Sequence, residues 1–218
     1  MKFDAVFFDL DGTLVNSLDD LANSVNYVLS QKGFPNHSTD AFKYFAGDGI
    51  AKMIERALPP DNRYDEAISE LKGLFMERYK NHCVEYTVPY DGLVSLVSRL
   101  KEKGIKIAVV TNKAQEMAEK IVYALYGDVF DCILGLRDGV PPKPDPTGIF
   151  MALKQLNVSS ERCAFVGDTG MDIAGSVNSG TYPIGVLWGF REKEELTKFG
   201  ARELVSNADE LMEILLRE

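Results

Sequence analysis

The chain has 218 residues, 45% of them hydrophobic, which suffices for one medium domain with a smaller insertion and excludes a disordered polymer. A net charge of −9 and a pI near 4.9 exclude binding to nucleic acid or an anionic membrane through a general basic surface. No apolar run reaches membrane-spanning length, and Cys83, Cys132 and Cys163 form neither a metal-ligand spacing nor an even disulfide framework, so the sequence predicts a reducing, cytoplasmic location.

The first predicted element is a strand. Phe3 to Phe8 is apolar except for Asp4, the pattern of a strand buried on both faces of a parallel sheet. It ends in Asp9-Leu10-Asp11-Gly12-Thr13. Side chains alternate along an extended segment, so Asp9 and Asp11 share a side. Two carboxylates 4 Å apart repel by ~4 kcal/mol at an effective dielectric of 20. Either a cation lies between them or one carries a proton. An ionised Asp9 could attack phosphorus, while Asp11 could protonate a leaving oxygen and then deprotonate water. A solvated Asp/Gly turn would have the same composition. A calcium loop fits worse, because its further Asp/Asn and closing Glu are missing.

After Thr13 the period changes to that of helices. Leu18, Leu21, Ala22, Val25, Val28 and Leu29 mark the first, with Ser17 and Asp20 in capping-box spacing and Gly33 as the stop. A short helix carries Ile50, Met53, Ile54, Ala57 and Leu58, and a third runs from about Tyr64 to Lys80. No strand separates them, so residues 16–87 read as a helical cap inserted between a core of residues 1–15 and 88–218. Within it, Gly47-Asp48-Gly49 opens the second helix. Gly49, Lys52 and Arg56 lie off the apolar stripe, where free N–H groups and cations could meet an anion. A solvated helix face is the plainer reading of the same residues.

The β/α alternation resumes after Pro89. A helix over Asp91 to Lys103 leads to the strand Ile105 to Val110, which ends in Thr111-Asn112-Lys113. Further strands are predicted at Asp131 to Leu134, Cys163 to Val166 and Tyr182 to Leu187, with an Asn207-capped final helix carrying Glu210 at its third position. The fold class is therefore α/β: a doubly wound, mostly parallel, Rossmann-like sheet with an inserted α-helical cap. Such sheets bind ligands beyond the carboxyl ends of their strands. Three strands end there in polar groups: Asp9/Asp11, Thr111/Asn112 and Asp168/Asp172. The proline-flanked Lys143 of Pro142-Lys143-Pro144-Asp145-Pro146 adds a fixed positive charge. Phosphoryl transfer needs such parts: a nucleophile, an acid/base, polar groups and a cation for the phosphoryl oxygens, and carboxylates for an oxygen-ligated Mg²⁺.

At these residues the sequence resembles the haloacid dehalogenase-like (HAD) hydrolases. D-x-D-G-T at Asp9 to Thr13 matches the first motif, Thr111 the second, Lys143 in K-P-x-P the third, and Gly167-Asp168-x-x-x-Asp172 the fourth. The resemblance covers the whole chain. It implies Asp9 as nucleophile, Asp11 as acid/base, and Mg²⁺ held by Asp9, the Asp11 carbonyl and Asp168, with Asp172 acting through the ligands around it. Thr111, Asn112 and Lys143 are expected to bind phosphate, and Gly47, Gly49 and Arg56 to meet the rest of the substrate. Within the family the chain is most similar to phosphoglycolate phosphatases, through Gly47-x-Gly49, Arg56-Ala57-Leu58 and Thr111-Asn112-Lys113. Asn16 stands where that group usually has Asp. Inorganic pyrophosphatases and β-phosphoglucomutase-like sugar-phosphate enzymes share the core motifs, and a receiver-like phospho-aspartate switch would use a similar set of residues. The expected partner is a small phosphorylated metabolite, with no nucleic acid and no membrane; the sequence leaves the oligomeric state open.

Overall fold

The computed structural model describes residues 3–217. The chain divides into two compact units, one made of the residues up to Asn16 and from Pro89 onward, the other of Ser17–Val88. In chain order, the first unit opens with β1 (Ala5–Phe8) and the two-residue β2 (Val15–Asn16). The second unit holds α1 (Leu18–Gln31), α2 (Phe42–Phe45), α3 (Ile50–Ala57) and α4 (Asp65–His82). The chain then passes through β3 (Val88–Pro89), α5 (Leu93–Glu102), β4 (Lys106–Ala114), α6 (Gln115–Tyr126) and β5 (Cys132–Leu136). It closes with α7 (Thr147–Leu156), β6 (Cys163–Gly167), α8 (Gly170–Ser179), β7 (Tyr182–Val186), α9 (Lys193–Phe199), β8 (Glu203–Val205) and α10 (Ala208–Leu215). No described helix is long and apolar enough to cross a membrane.

Six strands form one parallel sheet in the order β5-β4-β1-β6-β7-β8. The apolar first strand therefore lies inside the sheet, with Ala5 opposite Lys106 on one side and Cys163 on the other. All four of its residues are fully buried. Ala5 and Phe7 point into a cluster with Ala108, Val110, Cys132, Leu134, Cys163 and Phe165, closed by Ile149, Ala152, Leu153 and Leu156 of α7. Phe8 packs edge-on against Phe130. Each phenylalanine removed from water in this way contributes about 1.5–3 kcal/mol. Cys132 and Cys163 are small core residues, and all three cysteines are free and buried.

The α/β class and the parallel sheet match the expectation from sequence. Three local features do not. β8 and α9 lie between the last predicted strand and the final helix. β8 has three residues, too few for a period, and in the charged α9 only Leu196 is buried. Ser17 makes no side-chain cap on α1. Its supposed partner Asp20 turns to the far end of the same unit, accepting from the backbone N–H of Tyr86 (3.0 Å) and Thr87 (2.9 Å) and from the Thr87 hydroxyl (2.6 Å). Two backbone donors and a hydroxyl outweigh one cap bond. The four-residue α2 was also invisible to periodicity.

Candidate active site

β1 delivers the first two carboxylates. Its ladder continues one residue past the strand, with Asp9 N–H donating to the Val166 carbonyl (2.9 Å). The chain then folds back on itself: the N–H groups of Leu14 and Val15 both reach the Leu10 carbonyl, at 2.9 and 3.0 Å. Gly12 makes this possible with φ +84°, and a Cβ there would stand 2.2 Å from Asp168 Oδ2. The tight turn also aims Thr13, whose hydroxyl donates to Asp168 Oδ1 (2.9 Å).

β6 and α8 deliver the other acids. Asp168 is fully buried at the end of β6 and accepts from the Phe190 N–H at its second oxygen (2.8 Å). Thr169 caps α8. It forms a capping box with Asp172, whose Oδ2 accepts from Thr169 N (2.9 Å) and Oγ1 (2.7 Å). The remaining Asp172 oxygen accepts from Lys143 (2.6 Å). Lys143 spends its other two protons on Asp9 Oδ1 and the Val110 carbonyl, both at 2.8 Å. Its own backbone is clamped by Asn112, which accepts from Lys143 N (2.7 Å) and donates to Lys143 O (3.2 Å). Asn112 thus braces the lysine loop with the amide expected to meet phosphate. Thr111 is buried beside it and accepts from Lys113 N (3.2 Å).

Asp9, Asp168 and Asp172 bring ligand oxygens within 4.8 Å of one another, all buried. Burial, then the charge of Asp172, pushes the Asp9 carboxyl up to about 6 against the pull of Lys143. Burial, then Asp172 and Asp9, likewise raises Asp168, against the Phe190 N–H and the Thr13 hydroxyl. Burial opposes the charge on Lys143, but Asp172 and Asp9 outweigh it and raise that group too. Three ionised carboxylates against one ammonium leave two buried negative charges uncompensated. An all-oxygen donor set in that state fits a hard divalent cation. All three carboxylates already accept hydrogen bonds, Asp9 from Lys143, Asp168 from Thr13 and Phe190, and Asp172 from Lys143 and Thr169, and any of them could offer an oxygen to such a cation.

Asp11 is absent from this trio. Its carboxylate is held by Lys113, which donates to both oxygens (2.9 and 2.8 Å). The pair is largely buried, with side-chain exposures of 4% for Lys113 and 18% for Asp11. In the sequence Lys113 stands out only as the third residue of Thr111-Asn112-Lys113. Its signal was the two-residue step from Thr111, which puts both on one side of β4, as for Asp9 and Asp11. Trp188 and Phe190 were also missed. The Trp188 indole N–H donates to the Thr13 carbonyl (3.0 Å), fixing the turn from outside. No local period marks these loop residues.

In the helical unit, Gly47 and Gly49 both have positive φ (110° and 89°), and α3 begins directly after Gly49. Arg56 bends back over this turn. It donates to the carbonyls of Tyr44 (3.2 Å) and Phe45 (3.0 Å) and pairs with Asp48. Lys52 pairs with Glu55 (2.6 Å). Both cations therefore have partners within their own unit.

Residues 6–186 match the model of the haloacid dehalogenase-like hydrolase family. The chain is similar to a phosphoglycolate phosphatase of Aquifex aeolicus, 33% identical over 85% of each chain. It is similar also to one of Colwellia psychrerythraea, 31% identical over 98% of this chain and 97% of the other. A crystal structure from Lactobacillus delbrueckii subsp. bulgaricus, provisionally named a phosphoglycolate phosphatase, superposes with a TM-score of 0.95 at 31% identity over 100% of both chains. A receiver-like switch is thereby set aside: this chain is an enzyme and belongs to the haloacid dehalogenase-like hydrolases.

Proposed function

We propose that the chain is a Mg²⁺-dependent phosphatase that hydrolyses a small phosphate monoester, phosphoglycolate foremost, through an aspartyl-phosphate on Asp9. The observation that carries this reading is the division of the carboxylates. Asp9 lies in the buried trio with Lys143 on one oxygen, while Asp11 stands apart on Lys113. One acid is dressed as a nucleophile and the other as a proton carrier.

Asp9 attacks phosphorus as Asp11 gives its proton to the departing ester oxygen. The Asp11 carboxylate then takes a proton from the water that attacks the acyl-phosphate, and inorganic phosphate leaves with Asp9 restored. Thr111 and Lys143 hold the phosphoryl oxygens, and Asn112 keeps Lys143 in place. Mg²⁺ on Asp9, the Asp11 carbonyl and Asp168 would neutralise charge shared by carboxylate and phosphoryl oxygens. Discrimination among monoesters falls to the helical unit through the Gly47–Gly49 turn and Arg56, a pairing suited to a carboxylate. The names of the similar proteins support phosphoglycolate as that substrate. The free buried cysteines suit a cytoplasmic setting.

The test is phosphate release with Mg²⁺ from phosphoglycolate, pyrophosphate, hexose phosphates and an aryl phosphate. The highest kcat/KM is expected for phosphoglycolate, and Asp9→Asn is expected to cut turnover at least ~10³-fold while the protein still melts cooperatively. A preference for pyrophosphate or a hexose phosphate would overturn the substrate. Turnover by Asp9→Asn near the wild-type rate would overturn the nucleophile.

A further inference from the structure

Lys113 has no part in the chemistry derived above, yet it is among the most deeply buried cations of the core unit. Its ammonium meets both oxygens of Asp11 at 2.8 and 2.9 Å, with the lysine side chain only 4% exposed. Lys143 cannot serve Asp11, because its three protons already go to Asp9, Asp172 and the Val110 carbonyl. The two lysines therefore divide the acids, and the division keeps Asp11 off the trio that Asp9 forms with Asp168 and Asp172. A carboxylate gripped at both oxygens has little rotational freedom.

We propose that Lys113 is a positioning residue for the second half of the reaction: it holds the ionised Asp11 carboxylate in the orientation from which it takes a proton from water. This rests on the phosphatase reading above. In the first half, the Asp11 proton passes to the leaving oxygen as the Asp9 oxygen–phosphorus bond forms and the ester oxygen–phosphorus bond breaks. Asp11 is left ionised, and the Lys113 ammonium receives it. Water then attacks phosphorus, its proton goes to Asp11, and the acyl-phosphate bond breaks. Without Lys113 the carboxylate is free to turn toward other partners, so the water-attack step loses its base while phosphorylation by a substrate with a good leaving group still proceeds.

Rapid-mixing kinetics with p-nitrophenyl phosphate and Mg²⁺ test this. That leaving group needs little protonation, so the first half survives loss of the acid. Asp11→Asn is expected to give a burst of about one nitrophenolate per enzyme followed by turnover slowed roughly 10²-fold. Lys113→Met and Lys113→Gln are expected to show the same burst with turnover slowed about tenfold or more. Adding Lys113→Met to Asp11→Asn is expected to change the slow phase no further, since both act on one step. Melting of the metal-free wild type, Asp11→Asn, Lys113→Met and the double variant supplies a readout independent of turnover, with the shifts of these two single variants expected to be non-additive. If Asp11→Asn bursts and the Lys113 variants slow without a burst, or do not slow, the proposal is overturned and Lys113 is a structural ion pair. If Asp11→Asn neither bursts nor slows, it is the reading of Asp11 as base that fails, and the role of Lys113 falls with it.

Discussion

Lys143 is saturated: carboxylates on two sides and a carbonyl on the third take all its protons. A phosphoryl oxygen must therefore compete for one of them, and the energetic balance of the site turns on the charge state of the acids around it. The Asp9 carboxyl lies near 6, raised from an ordinary value of 3.8 by burial and by Asp172. A raised acid favours the folded protein while it is protonated. In the metal-free protein that contribution is complete below about pH 3.8 and fades as pH rises through about 6. Burial and the same neighbours also raise Asp168, with the same sign. A divalent cation binds the ionised forms, and so relieves a strain that exists only at the higher pH. The rise in melting temperature on adding millimolar Mg²⁺ is expected to be several degrees at about pH 8 and to shrink sharply near pH 5. Differential scanning calorimetry at the two pH values measures it, and equal increments would show that the trio does not gather the metal.

Elements place these groups through short turns, and that is where the sequence was readable and where it was not. The buried strand β1, the three polar strand ends and Lys143 were legible because period and motif spacing are local properties. The Asp20 tether to Thr87, the Lys113–Asp11 pair and the Phe190 N–H on Asp168 were not, since each joins residues far apart in the chain and no period encodes them. The capping box was legible as a pattern, yet it formed at Thr169–Asp172 and not at Ser17–Asp20, where a better-furnished partner took the carboxylate. At the element scale, Gly12→Ala is the sharp test of how the turn serves the site. A Cβ would meet Asp168 Oδ2 at 2.2 Å on a backbone with φ +84°. It should cost about 1–3 kcal/mol and abolish the Mg²⁺ increment in melting although every carboxylate remains. An undiminished increment would mean that the turn does not set the position of Asp168. In the helical unit, Arg56→Ala removes the brace on the Gly47–Gly49 turn. Loss of its charged hydrogen bonds is expected to raise KM for phosphoglycolate roughly tenfold and to leave that for a neutral aryl phosphate little changed. Parallel shifts for both substrates would make the brace purely structural.

At the scale of the whole molecule, the proposed metal ligands Asp9, Asp11 and Asp168 belong to the unit that contains the sheet, while Ser17–Val88 packs as a unit of its own. Binding free energy released by Mg²⁺ should therefore appear as slower amide exchange in β1, β4 and β6, and far less in α1 and α4. Hydrogen-exchange mass spectrometry with and without Mg²⁺ resolves the two, and uniform protection of both units would show that they open together. The strand order has a further consequence, for synthesis. Ala5 pairs with Lys106 and with Cys163, so the central strand cannot be flanked until roughly 160 residues have left the ribosome, some 8–30 s at ordinary elongation rates. The four helices of Ser17–Val88 need no such wait, because every partner they have within their unit lies within those residues. Throughout that interval the apolar segment Phe3 to Phe8 is without either of its sheet neighbours, the period in which it needs shielding from other chains.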